Sequence, residues 1–80
     1  MELEALIRAL APSEVTGRRP VEIRDLAYDA GRVTDAALFF CVPGQRADGH
    51  DFAAEAVGRG AAALVVERPV AAAVPQLVVD

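Results

Sequence analysis

The stretch from residue 38 to residue 67, LFFCVPGQRADGHDFAAEAVGRGAAALVVE, constrains the fold more than any other part of the chain. Leu38 to Val42 is a continuous apolar run that Pro43-Gly44 halts, too short for a helix and suited to a buried strand. Asp48 or Asp51 is placed to cap a following helix over 52–59. Phe52 with Ala56, and Ala53 with Val57, form its apolar side. Arg59 falls in its last turn, and Gly60 can take the left-handed position at its end. Ala62 to Val66 is a second apolar strand. Strand, helix and strand make a β–α–β unit, for which a right-handed parallel crossover is the default.

On the N-terminal side, Leu3, Leu6, Ile7 and Leu10 form one stripe of a helix. Glu2 and Glu4 suit its positive end, Glu4 can pair with Arg8, and Pro12 ends it. Residues 13–20 read as a loop. Val21 to Tyr28 suits a half-exposed strand, and Asp29-Ala30-Gly31 is a turn. Past the central unit, Pro69 and Pro75 bracket a linker, and Gln76 to Val79 is a last strand. The expectation is one α/β domain over residues 1–80, with a small mixed sheet of about four strands and two helices. An apolar strand directly before Asp80 predicts that more protein follows.

Composition removes several function classes. All eight basic residues are arginine, so a Walker-type phosphate loop, a Schiff base and a lysine nucleophile are impossible within these residues. A net charge of −4 argues against nucleic acid or an anionic membrane surface. No run approaches the ~18 apolar residues of a membrane span. The acidic N-terminus is not a signal peptide. Cys41 has no partner for an internal disulfide, which points to a reducing, cytoplasmic compartment. Apolar residues make up 54% of the chain, many of them alanine, which leaves surface suited to covering a neighbouring domain.

The candidate sites follow from these elements. The loop at 43–49 exposes the amides of Gln45, Arg46 and Ala47 between two glycines, where a strand ends and a helix begins. An ordinary strand-to-helix connection has the same composition. His50 reads as a turn or staple residue in preference to a catalyst, and no set of residues has metal-ligand spacing. Asp48 and Asp51 read as caps, and Asp29 as a turn residue accepting backbone amides. Cys41, between Phe40 and Val42, reads as a buried, inert thiol. The residues supply a ligand-binding loop and no catalytic set.

Tyr28-Asp29, the stretch LFFCVPGQRADGHDF, and the AxxxGAAALVVE register from Ala56 to Glu67 are together similar to the N-terminal domain of the Mur ligases of the tripeptide-forming type. The resemblance runs from about Val21 to Val79. Those ligases serve peptidoglycan synthesis, and through it cell-wall biogenesis, cell shape and division. They add diaminopimelate or lysine to UDP-N-acetylmuramoyl-L-alanyl-D-glutamate. The resemblance implies that this domain holds the uridine end of that substrate through Tyr28, Ala30, Gln45, Arg46 and Ala47. It places ATP, magnesium and the catalytic residues in central and C-terminal domains outside this chain, which is then inactive alone.

Two departures accompany the resemblance. The family's Asp-Ser-Arg reads Asp29-Ala30-Gly31, which limits contact at Ala30 to backbone or packing, with Arg32 one position late. The family's Gly-Asp reads Ala36-Ala37. The alternatives are the related ligase that adds D-alanyl-D-alanine and a free-standing, non-enzymatic UDP-sugar-binding module.

Overall fold

A computed structural model describes residues 1–41 and 49–79. The Pro43-Gly44 turn, Gln45, Arg46, Ala47 and Asp48 lie outside the described residues.

Two helices, α1 (Leu3–Leu10) and α2 (Ala53–Gly58), accompany five strands: β1 (Glu14–Thr16), β2 (Asp25–Ala27), β3 (Ala37–Phe40), β4 (Ala63–Val66) and β5 (Gln76–Val78). Short 3-10 turns occupy Ala30–Arg32 and Gly49–Phe52. The strands form a single sheet in the order β1-β5-β4-β3-β2. β2, β3, β4 and β5 run parallel, and β1 closes one edge antiparallel to β5. The sheet is therefore small and mixed, as expected, with one strand more.

Alternation along the strands divides the core into two layers. Ala37 and Phe39 of β3, with Leu64 and Val66 of β4, join Ala53 and Ala56 of α2 on one face. Leu38, Ala63, Val65 and Leu77 join Leu3, Leu6 and Ile23 on the other, beneath α1. Strands covered on both faces carry near-continuous apolar runs, which is why Leu38–Phe40 and Ala63–Val66 stood out in the sequence. Phe39, Leu38, Leu64 and Leu77 are fully buried.

Several expectations are corrected. The strand foreseen over 21–28 is regular only at Asp25–Ala27; upstream, Glu22 makes an isolated antiparallel bridge to Glu2, and Ile23 turns inward beneath α1. Residues 14–16, read as loop, form β1, because the open edge of β5 pairs Glu14 with Val78 and Thr16 with Gln76. Phe52, the residue before α2, makes no side-chain cap, and Asp48, one of the two caps expected, lies outside the described residues. The chain enters α2 through the 3-10 turn, so Phe52 is a junction between two helical turns and not a free helix end. Phe52 is exposed, leaving Ala53 and Ala56 as the buried side of α2.

Glu4 is held by Arg18, whose Nε donates to Glu4 Oε2 at 3.0 Å. That hydrogen bond holds the Glu4 carboxyl below its ordinary value, while Arg8 acts on it only as a nearby charge. Residues 67–75 are a packed crossover and not a loose linker. Val70, Ala72 and Val74 lie against the α2-side core, and buried Gln76 clamps Val70 by accepting from its N–H at 2.8 Å and donating to its carbonyl at 2.7 Å.

Candidate functional site

In an open parallel sheet, ligands settle outside the carboxyl ends of the strands. Here β2 ends at Ala27 and β3 at Phe40, and the register Ala27 to Phe39 brings Tyr28 beside Phe40 at that edge. The chain then leaves β2 for the 3-10 turn, and leaves β3 through Cys41 toward residues 42–48. Both stretches expected to meet a nucleotide thus depart from neighbouring strands at one end of the sheet.

Tyr28 is 67% exposed, yet its ring is not loose: it stacks on Phe40 with centroids 4.6 Å apart and planes inclined by 19°. Asp29 behaves as foreseen, its Oδ1 accepting from the Gly31 N–H at 2.9 Å and capping the 3-10 turn. Ala30 is buried in the α2-side core, and its carbonyl accepts from Val33 N–H. Its methyl group is therefore committed to packing. Arg32 is exposed, one turn beyond the site edge.

His50 is buried, with Nε2 accepting from the Glu67 N–H at 2.9 Å. This bond ties the lead-in of α2 to the end of β4, the structural role expected of it. Cys41 is buried in the same layer and its N–H donates to Val65 O at 2.8 Å, extending the β3–β4 ladder by one bond. Asp51 is exposed. Gln45, Arg46, Ala47 and Asp48 are outside the described residues.

Sequence reasoning missed two supports of the site. Phe40 was read only as core; the signal available was a second aromatic at the end of the strand paired with Tyr28. Asp25 bonds its neighbour's amide, Leu26 N, at 2.9 Å and accepts from Thr34 Oγ1 at 3.0 Å, bracing the connection between β2 and β3. No spacing rule announces that pair.

Two shallow concavities of about 330 and 390 Å³ lie elsewhere, one between α1 and residues 20–22, the other lined by Leu6, Ile23, Arg24, Asp25 and Leu26. Neither includes Tyr28 or Ala30. Among the described residues, no three His, Cys, Asp or Glu side chains gather to hold a metal ion. No helix there is long and apolar enough to cross a membrane.

Comparison with known proteins agrees with this architecture. Residues 22–79 match the family model described as the Mur ligase family, catalytic domain. The chain belongs to the Mur ligase family. Within it, the likeness is to the N-terminal domain of the ligases named for 2,6-diaminopimelate. The UDP-N-acetylmuramoyl-L-alanyl-D-glutamate–2,6-diaminopimelate ligase of Geobacillus kaustophilus is 53% identical over 59 residues, covering 74% of this chain and 12% of that protein. Its namesake from Geobacillus thermodenitrificans is 46% identical over 79 residues, covering 99% of this chain and 16% of that protein. Among solved structures, a crystal structure of MurF from Acinetobacter baumannii superposes with a TM-score of 0.84 at 29% identity, covering 95% of this chain and 17% of that one. This chain thus spans under one-fifth of each of these relatives.

Proposed function

We propose that this chain is the uridine-nucleotide-binding N-terminal domain of a peptidoglycan-precursor ligase. The whole enzyme adds 2,6-diaminopimelate, or L-lysine, to UDP-N-acetylmuramoyl-L-alanyl-D-glutamate using ATP. The observation that carries the reading is the exposed Tyr28, which follows β2 at the carboxyl edge where the neighbouring parallel strand β3 also ends, in a chain 53% identical over 59 residues to a protein of that name. Tyr28 and the backbone of Ala30 meet the uridine from β2, and Gln45, Arg46 and Ala47 meet it from beyond β3. Each hydrogen bond to the uracil edge contributes about 1 kcal/mol net. Binding energy gathered at the remote uridine is available to orient the reacting carboxylate elsewhere in the ligase.

The residues of this chain do not fit an ATP–magnesium site. It has no lysine to reach the phosphates, and no acidic cluster among the described residues to hold the metal. On this reading the domain holds the substrate and works with central and C-terminal domains in the cytoplasm. The D-alanyl-D-alanine-adding ligase is the second reading, favoured by the superposition on a structure of that name at TM-score 0.82. The identity of 29% there, against 53% to the diaminopimelate ligase over its matched stretch, favours the first.

Calorimetric titration of the purified chain with UDP and with ADP tests the reading. UDP binds and ADP binds more weakly. Equal affinities, or no UDP binding at millimolar concentration, remove it. Amide formation from ATP by the chain alone overturns its non-catalytic status.

A further inference from the structure

We propose that Phe40 positions Tyr28 as a one-sided stacking platform, so that the base of a uridine nucleotide is held by its flat face at the carboxyl edge of the sheet. The proposal rests on the nucleotide-binding reading above and adds how the base is recognised.

Tyr28 buries little surface, so the fold has small need of an aromatic ring there. A tyrosine this exposed samples several rotamers unless something fixes it. Phe40 does so: it is half-buried against the α1-side core, and its ring lies nearly parallel to that of Tyr28 at 4.6 Å. The β2–β3 register sets the two residues side by side, so the stack is built into the sheet. With one face on Phe40 and two-thirds of its surface exposed, Tyr28 turns its other face to solvent. A rigid, open aromatic face attracts a planar base whatever its pattern of donors and acceptors. It leaves the hydrogen-bonding edge of the base for groups elsewhere in the site. Phe40 is thus a positioning residue, and Tyr28 the contact.

The probe is 5,6-dihydrouridine diphosphate, which keeps the N3–H and both carbonyls of uracil but loses its planarity. The chain is titrated with it and with UDP. The unaltered protein prefers UDP by about fivefold or more, the scale of a single base–aromatic stack. Phe40→Leu abolishes that preference by lowering UDP affinity alone, and the upfield shifts that the Phe40 ring imposes on the Tyr28 ring protons disappear. Phe40→Tyr, which keeps a stackable ring, retains the preference. Tyr28→Leu, a change at an exposed position that leaves the core intact, removes the preference in the same way. Equal affinities in the unaltered chain, or a preference that survives both leucine variants, overturns the proposal while the nucleotide-binding reading stands. Failure of the unaltered chain to bind UDP removes both.

Discussion

Ala36 and Gly60 meet where α2 returns toward the sheet, and each shows what a single residue contributes. Ala36 has φ of 64°, a left-handed conformation that disfavours any residue with a Cβ. It is held there because its N–H donates to Gly60 O at 2.8 Å. Glycine adopts that conformation without strain, so Ala36→Gly is expected to stabilise the fold by about 0.5–1 kcal/mol. For a domain of this size that raises Tm by roughly 4 °C, measurable in thermal unfolding. Gly60 is the converse. At φ of 109° an added Cβ meets the Asp35 Cα at 3.0 Å, so Gly60→Ala lowers Tm. No change at Ala36→Gly contradicts this account of strain. The need for Gly60 was legible, because a glycine followed the helical stripe. The strain at Ala36 was not, since it is imposed by a contact 24 positions away in sequence.

Among the elements, the end of β4 is the junction that matters most. It accepts the N–H of Cys41 at Val65 and donates its own Glu67 N–H to His50. The last described residue before positions 42–48 and the second after them are thereby fixed to one strand. His50→Leu leaves the Glu67 N–H without its acceptor and is expected to destabilise the fold by about 1–3 kcal/mol. His50→Gln, with an amide oxygen near the position of Nε2, recovers much of that. Urea unfolding of the two variants decides it: equal midpoints contradict a hydrogen-bonding role.

The elements most legible in sequence were those covered on both sides, β3 and β4, whose apolar runs have no other use. Edge elements were least legible. Glu14-Val15-Thr16 has no apolar pattern of its own and becomes β1 only because β5 offers an unpaired edge. The 3-10 lead-in to α2 was not foreseen, and helical turns that abut leave no free helix end at their junction.

For the molecule as a whole, the sheet order follows from the connections. Parallel β2, β3, β4 and β5 all end at the same edge, so every connection from one to the next starts there. Tyr28 was legible as a candidate contact only through the resemblance. Its partner Phe40 was not, because stacking depends on strand register, which the sequence leaves open. The concavities along α1 rival this edge as binding places, and they lie on other residues. The central claim is therefore one of location. Following backbone amides by NMR during a UDP titration tests it most directly. The account predicts shifts centred on residues 28–30 and 45–47, saturating even if binding is as weak as about 1 mM, a free energy of only ~4 kcal/mol. Shifts centred instead on residues 2–4 and 20–26, or no shifts at millimolar UDP, contradict it.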